Sequence, residues 1–255
     1  VVWGILNFKT QLIEDKKPDH KIVDIYIDAN KRLEQDSTIE NQVTDLLRKY
    51  EANDPKIVEQ FKQAVEFCLK GIVETLTRLG VKHDRFIWES TFVRNGSVQK
   101  VLNELKKTKY TKEEAGALIL NLREFGIDKA LVLTRSDGTT LYTTRDIAYH
   151  LWKFNQAEQV VDIVGADHKL HMQQLKSALQ ILGPEKTPEV IAFEFVSLPF
   201  GKMSTRAGRF ISVDELVSEA VDRAKKEVKK RRAEASEAFK IKTADGVFNL
   251  VSVFV

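Results

Sequence analysis

The sequence predicts an α/β fold in which part of a doubly wound parallel sheet follows a mainly helical region. Apolar runs such as residues 160–164 are typical of strands buried on both faces of a parallel sheet. These runs end at polar residues and alternate with helical patterns, which indicates β-α-β units. The expected strands end near Leu133, Val164 and Phe195, and the expected crossover helices are 145–155 and 170–182.

The first eighty residues predict helices outside the sheet. Residues 23–50 and 55–79 are charged and amphipathic, as surface helices are. The pair at 54–55 supplies an Asp cap and a proline at the first helical position, and Gly80 supplies a stop. Residues 16–22 are polar and contain a proline, so we expect a loop there. These stretches gather no catalytic side chains, which indicates a structural role.

Residues 113–122 allow two interpretations. Thr111 and Glu114 have the spacing of a capping box, which favours a helix. Residues 117–120, followed by Val132 and its neighbours, instead suit a pair of strands.

A strand-to-helix junction after the Asp137-Gly138 turn carries the first candidate site. Thr143 or Thr144 is expected to cap a helix that contains Asp146. Tyr142 and Asp146 then lie at the carboxyl end of a strand, where open α/β sheets bind ligands. A carboxylate beside a phenol suits a cationic group that donates hydrogen bonds. The alternative is that Asp146 is only an acidic residue in the first turn, which the helix dipole favours, and that Tyr142 is a core aromatic residue.

Polar side chains also follow the strand at 160–164. Asp167 and His168 are candidate ligand-binding groups at the end of that strand, whereas His171 suits a helix face equally well. The His168/His171 spacing suggests a metal ligand pair. However, the chain has one cysteine, Cys68, and no second ligand cluster, so no metal site is predicted.

Residues 201–208 form a glycine-bounded segment with two cations and two hydroxyl groups. Lys202 and Arg206 can neutralise a polyphosphate, and Ser204 and Thr205 can donate hydrogen bonds to it. The alternative is an ordinary surface loop. A helix is expected to follow from about Val213, where Ser212 and Glu215 are spaced as a capping box.

Composition excludes several classes of protein. The chain of 255 residues is 43% hydrophobic and 30% charged with a net charge of +3, as expected for a soluble globular protein. It has no apolar run of transmembrane length and no disulfide framework. The glycine patterns of P-loop and dinucleotide-binding proteins are absent. Residues 222–232 hold seven Lys/Arg and two acids, typical of a solvated helix face or of a phosphate-contacting one.

Taken together, these segments resemble arginyl-tRNA synthetase in the form found in archaea and many bacteria. The residues that carry the resemblance are 135–139, 142–149, 165–171 and 202–206, with 2–4 and 86–90 in addition. It covers roughly residues 1–232. The resemblance implies the partial Rossmann-like fold of a class I synthetase catalytic domain with a helical connective insertion, and it favours strands over residues 113–122.

The resemblance also implies a reaction and roles for individual residues. Arginine is activated with ATP to arginyl-adenylate and transferred to the 3′ end of tRNA(Arg), with Mg²⁺ between the phosphates. Tyr142 and Asp146 then bind the guanidinium group, and Asp167 or His168 binds the other end of arginine. The implied catalytic residues are Lys202, Ser204 and Arg206. The implied ATP-binding residues are His171, Gln174, Phe195, Val196, Gly201, Lys202, Met203 and Ser204.

The expected organisation is an insertion region (1–110), the second half of the nucleotide-binding fold (111–215) and a helical stem (216–255). None of the five histidines lies in a His-Ile-Gly-His-type motif, so we expect a chain that lacks this motif and the anticodon-binding domain, and that is inactive alone. The resemblance further implies a cytoplasmic monomer without membrane contact. Synthetases for glutamate, glutamine or cysteine are rivals, as is a non-catalytic tRNA-binding or assembly module derived from a synthetase.

Overall fold

The computed structural model describes residues 1–9, 12–13, 15–183, 187–194, 205, 208 and 210–231. They group into two compact units. The first unit contains Val1–Asp84 and the described residues after 197, and the second is Arg85–Val196. The three-part division expected from the sequence has different boundaries and stays a prediction.

Helices dominate the described part of the chain, and two small sheets accompany them. In chain order the elements are α1 (Val2–Phe8), α2 (Pro18–Gln35), α3 (Thr38–Glu51), α4 (Pro55–Arg78), α5 (Glu89–Arg94), α6 (Ser97–Lys106), β1 (Thr111–Glu114), β2 (Ala117–Leu120), β3 (Leu131–Val132), α7 (Tyr142–Phe154), β4 (Val161–Gly165), α8 (Lys169–Leu182), β5 (Glu189–Phe193) and α9 (Val213–Arg231). None of the described helices combines the length and the apolar character needed to cross a membrane.

Helices α2 and α4 form the centre of the first unit. They pack around Ile22, Ile25 and Phe67. Helix α2 begins at Pro18, so the loop expected over residues 16–22 is wrong from that proline onward. The fixed φ angle and missing N–H of proline suit the first turn of a helix, and burial of Ile22 stabilises that turn.

The start and the packing of α4 follow from three local features. Asp54 accepts hydrogen bonds from two backbone N–H groups of the first turn, and Pro55 is the first helical residue. Both features confirm the predicted helix start. Within the helix, a Cβ atom at Gly71 would lie 2.1 Å from Oδ1 of Asp19. Glycine therefore permits the close approach of α2 and α4.

Local side-chain hydrogen bonds lie at the start of two other helices of this unit. The predicted helical stretch 23–50 divides at Asp36, whose carboxylate accepts the Thr38 N–H at 2.9 Å. The capping box that precedes α9 is confirmed. Ser212 Oγ accepts the Glu215 N–H at 3.1 Å, and the Glu215 carboxylate accepts the Ser212 N–H at 2.8 Å.

The second unit contains the larger hydrophobic core. Helices α6, α7 and α8 contribute Leu105, Ile147 and Leu179, which have no measurable exposure. Leu120 at the end of β2 and Leu133 just after β3 are equally buried. Each such side chain contributes about 1.5–3 kcal/mol of hydrophobic stabilisation relative to an exposed position.

Strands β1, β2 and β3 form an antiparallel sheet. Thr111 lies opposite Leu120, and Leu120 lies opposite Leu131. The turn between β1 and β2 places Ala115 and Gly116 at φ angles of 49° and 78°. Two consecutive positive φ angles are typical of a two-residue hairpin turn. The strand interpretation of this segment is confirmed, and the helix alternative is wrong.

The parallel part of the fold is the β4–α8–β5 unit. Ile163 lies opposite Ile191 in the parallel pair, with α8 as the crossover helix. This confirms the α/β fold class. The expected third parallel strand differs, because the described strand β3 (Leu131–Val132) pairs antiparallel with β2, which lies close before it in sequence. A short connection suffices for antiparallel strands, whereas parallel strands need a long crossover.

The burial of β4 is also not as predicted. Val161 and Ile163 are exposed, Ile163 by 69%, whereas Asp162 is buried. The strand therefore covers the described core with one face only, and a carboxylate occupies that face. The buried position of Asp162 has an electrostatic explanation, because His150 and Lys153 of α7 contact its carboxylate.

Candidate functional site

The first wall of the candidate site is the start of α7. Tyr142 is the first helical residue, and Asp146 lies one turn further on the same helix. The expected threonine cap is wrong, because Leu141 is the N-cap residue. The hydroxyl groups of Thr143 and Thr144 instead donate to the backbone carbonyls of Val132 and Leu133, at 2.8 and 2.6 Å. These two bonds fix α7 to the end of β3.

The second wall follows β4, where a short 3₁₀ turn leads into α8. The turn carries His168, and the first turn of α8 carries His171. A Cβ atom at Gly165 would lie 2.7 Å from Oδ1 of Asp167, so the glycine lets the turn close tightly. The predicted segment after the strand faces α7 through the contact of His171 with Asp146, whereas Asp167 is not among the residues that line the pocket.

Between these walls lies a pocket of about 200 Å³. The structure brings together three of the predicted arginine-site residues there, namely Tyr142, Asp146 and His168. The complete lining is Tyr142, Asp146, His150, Lys153, Asp162, Val164, His168, His171 and Met172. A second concavity of about 260 Å³ adjoins the first, shares Tyr142 and Asp146 with it, and continues along α7 to Arg145 and Tyr149.

Asp146 is the carboxylate that both concavities share. Its Oδ2 atom lies 2.7 Å from Nε2 of His171, and its Oδ1 atom lies 3.2 Å from Nδ1 of His150. Burial raises the pKa of Asp146, but the hydrogen bonds from the two histidines outweigh it and hold the pKa well below 3.8. Asp146 is thus an oriented anion, and its side chain is still 25% exposed to a ligand.

His150 lies behind Asp146 and is almost fully buried. Its Nδ1 atom is also 2.8 Å from the backbone oxygen of Asp146, and its Nε2 atom is 2.7 Å from Oδ2 of Asp162. Lys153 donates to the other oxygen of Asp162 at 2.6 Å. Burial lowers the pKa of His150, but Asp146 and Asp162 outweigh it and raise the pKa from 6.5 to about 9.

The sequence did not predict His150, Lys153 or Asp162 as part of the site. A signal for His150 was present, because it follows Asp146 by one helical turn and therefore lies on the same helix face. Asp162 interrupts an otherwise apolar strand, which was a second signal. Their pairing joins α7 to β4 and is not a local property of either segment.

Two predicted ATP-binding residues of α8 have different surroundings. His171 lines the pocket, with its ring centroid 5.2 Å from that of Tyr142, and its Nδ1 atom is buried without a hydrogen-bond partner. Gln174 is buried away from the pocket, and its amide donates to the backbone carbonyl of Lys129 at 2.8 Å. The geometry therefore gives Gln174 a structural contact and does not support its predicted ATP-binding role.

Most of the predicted phosphate-binding loop lies outside the described residues. This applies to Phe195, Val196, Gly201, Lys202, Met203, Ser204 and Arg206. Within the loop, the structure describes Thr205 and Gly208, where the Gly208 N–H donates to the Thr205 carbonyl at 3.0 Å. The roles of the loop residues stay predictions.

Among the described residues, one group has the spacing of a metal site, and it belongs to the first unit. It consists of Asp19, His20 and Asp214. The ammonium group of Lys17 lies 2.7 Å from Asp19 and 3.0 Å from Asp214. A cation thus already balances this acidic group.

The fold is that of a class I synthetase catalytic domain, as comparison with known families shows. Residues 4–253 match the model of the family described as tRNA synthetases class I (R), catalytic domain. The chain belongs to this family. The resemblance found in the sequence is thereby confirmed.

Archaeal relatives are more specific in their names. The chain is 52% identical over 91% of its length to the arginine–tRNA ligase of Methanothermobacter thermautotrophicus, and 49% identical over 94% to that of Methanothrix thermoacetophila. It covers 41% and 42% of those proteins, so it spans about two fifths of their length.

Solved structures show the same fold at lower identity. Thermus thermophilus arginyl-tRNA synthetase matches 99% of this chain with a TM-score of 0.78 and 23% identity, over 48% of its own length. Plasmodium falciparum arginyl-tRNA synthetase matches 93% of the chain with a TM-score of 0.66 and 16% identity, over 42% of its own length. At these identities the likeness concerns the fold alone.

Proposed function

We propose that this chain carries the arginine-binding part of an arginine–tRNA ligase. In this reaction the carboxylate of arginine attacks the α-phosphorus of ATP and pyrophosphate leaves. The arginyl group is then transferred from the adenylate to the 3′ end of tRNA(Arg). Membership of the family and the names of the archaeal relatives support the proposal.

The observation that carries the proposal is the ionised, partly exposed carboxylate of Asp146 in the pocket. A guanidinium group presents a planar fork of N–H donors that a carboxylate accepts in bidentate fashion. A carboxylate has about four lone-pair sites, and the contacts from His150 and His171 use two of them. The remaining sites, one on each oxygen, suit the two donors of a guanidinium fork.

Tyr142 and His168 complete the proposed arginine site. Tyr142 forms the wall beside Asp146, and the polar groups of the 3₁₀ turn hold the other end of the substrate. Of the two candidates there, His168 is favoured over Asp167 because His168 lines the pocket. Since buried donors left unpaired are costly, such a site can reject an analogue with the wrong hydrogen-bonding groups by ~10⁴-fold.

The proposed phosphate chemistry rests on the sequence of the 201–208 loop. No enzyme nucleophile is required, so positioning and charge stabilisation at the phosphoryl oxygens suffice. Lys202 and Arg206 supply the positive charge and Ser204 donates a hydrogen bond, and a Mg²⁺ ion bound with ATP would add further positive charge. Phe195 and Val196 lie against adenine in this proposal.

The partners follow from the proposed reaction. They are arginine, ATP and tRNA(Arg). We also propose that the protein is a monomer and acts in the cytoplasm. The seven Lys/Arg residues of 222–232 supply charge for tRNA phosphates. Binding through them is expected to weaken steeply with salt. Light scattering of the free protein tests the monomer, and filter binding at several salt concentrations tests the tRNA contact.

The substrate is identified by ATP–pyrophosphate exchange with the full-length protein and tRNA(Arg). Arginine, lysine, ornithine, citrulline, glutamate, glutamine and cysteine are offered separately. We expect exchange with arginine alone. Exchange with glutamate, glutamine or cysteine would contradict the proposal, and tRNA binding without any exchange would favour the non-catalytic module.

A further inference from the structure

Within the pocket cluster, His150 joins Asp146 of α7 to Asp162 of strand β4. It is 2% exposed, so it lies behind the carboxylate that the proposed function assigns to arginine. From α7 it faces Asp146, Tyr149 and Lys153, and from β4 it faces Asp162. Its two ring nitrogens therefore contact carboxylates on opposite sides.

We propose that His150 is a positioning residue that holds the Asp146 carboxylate in the orientation needed for bidentate binding of a guanidinium group. The inference rests on the proposed arginine-binding function. Without a fixed partner, the carboxylate of Asp146 rotates about two side-chain bonds. Nδ1 of His150 lies 3.2 Å from one carboxylate oxygen of Asp146 and 2.8 Å from its backbone oxygen, and the contact of Nε2 with Asp162 holds the imidazole ring in this orientation.

The anchoring of the ring distinguishes His150 from His171. His171 contacts the other oxygen of Asp146, but its own Nδ1 atom has no hydrogen-bond partner. His150 is held at both nitrogens, and its anchor Asp162 is held in turn by Lys153. The orientation of Asp146 therefore depends on a chain of contacts that ends in strand β4.

The composition of this cluster argues for a role beyond stability. Asp162 occupies a core-facing position of β4 where an apolar side chain would pack without charge. Buried ion pairs add little stability compared with apolar packing, because each charge loses its hydration. They do impose one geometry on their members. A fixed Asp146 also lowers the ordering cost of binding.

Two substitutions of His150 separate positioning from folding. In His150→Asn the amide lies where Nδ1 is and can donate to Asp146, whereas the contact with Asp162 is lost. In His150→Gln the amide lies where Nε2 is, so the contact with Asp162 is kept and that with Asp146 is lost. Positioning predicts that Asn replaces His150 better than Gln, and a purely structural link to β4 predicts the reverse order.

The test is steady-state exchange by the full-length protein with arginine and ATP varied separately. Groups that orient metal ligands affect binding by about 10–100-fold, and we expect a similar rise in the KM for arginine in His150→Gln. The KM for ATP should stay unchanged, and the KM for arginine in His150→Asn should stay closer to that of the wild type than the KM in His150→Gln does. Asp128→Asn, at an exposed site away from the lining, is the matched control.

A parallel measurement on Asp146→Asn distinguishes the two proposals. If Asp146→Asn leaves the KM for arginine unchanged, the arginine site itself is wrong. If it raises that KM while His150→Gln does not, only the positioning role is overturned. Should His150→Gln fail to fold, Asp162→Asn replaces it, because it frees the ring while leaving Nδ1 in place. An unchanged KM for arginine in that variant would also overturn the positioning role.

Discussion

Loss of the proton from His150 should make the second unit less stable as the pH rises. The pKa of His150 is raised from 6.5 to about 9 in the folded protein, because Asp146 and Asp162 outweigh the effect of burial. The folded state therefore binds this proton more tightly than the unfolded state. Its contribution is complete below pH ~6.5 and is lost as the pH rises to ~9.

The size of the effect follows from the shift. A difference of about 2.5 pKa units at about 1.4 kcal/mol each corresponds to an upper limit of about 3 kcal/mol. The groups around His150 do not reverse the trend in this range. Asp146 and Asp162 have lowered pKa values, so their contribution is lost only in acid. Tyr149 has a raised pKa, above its ordinary value of 10.

Hydrogen exchange of the α7 amides between pH 6 and pH 9.5 measures this contribution, after correction for the intrinsic exchange rates. The opening free energy of α7 should fall by up to about 3 kcal/mol in the wild type. The opening free energy should not depend on pH in His150→Gln. His83→Gln, which replaces an exposed histidine, is the control and should keep the wild-type dependence on pH. A flat wild-type profile, or the same slope in His150→Gln, would refute the protonation of His150 in the fold.

Two further variants test the phosphate loop and the base of α7. Lys202→Ala should lower the rate of adenylation by ~10²–10³-fold with little change in arginine affinity, because it removes charge stabilisation in the transition state. Single-turnover adenylate formation checks this, and an unchanged rate would remove Lys202 from the mechanism. Thr144→Val should lower the free energy of unfolding by about 1 kcal/mol, since the hydrogen bond to Leu133 is lost while the shape is kept. Urea titration measures it, and equal midpoints would contradict it.

Local rules predicted the ends of several elements. Asp54 and Pro55 set the start of α4, and Ser212 with Glu215 set the start of α9, because capping depends on residues close in sequence. Pro18 led to a wrong local prediction. A proline in a polar segment is typical of a loop, but here it begins helix α2, in which Ile22 is buried.

Tertiary pairing explains what the sequence did not predict. Tyr142, Asp146 and His168 were expected in one pocket because each lies near the end of a strand, and they do share it. His150 and Asp162 were not predicted because the role of each depends on its contact with the other, which joins α7 to β4. Periodicity gives the face on which a side chain lies, but it does not give the charge that will meet it.

The orientation of Thr143 and Thr144 has the same cause. Threonine before a helical run is typical of an N-cap, so the local prediction placed one of them there. The carbonyl groups of Val132 and Leu133 compete for the same hydroxyl groups and accept their hydrogen bonds. The helix therefore begins before the threonines, at Tyr142.

The central claim is that Asp146 recognises the guanidinium group of arginine. The most direct measurement is the ratio of kcat/KM for arginine to that for citrulline in ATP–pyrophosphate exchange, compared between the wild-type full-length protein and Asp146→Asn. Removing one member of a buried charged pair costs about 2–5 kcal/mol, so arginine should lose on the order of 30-fold or more. Citrulline, which is neutral, should lose much less, and the ratio should fall accordingly. An unchanged ratio in Asp146→Asn would contradict the account.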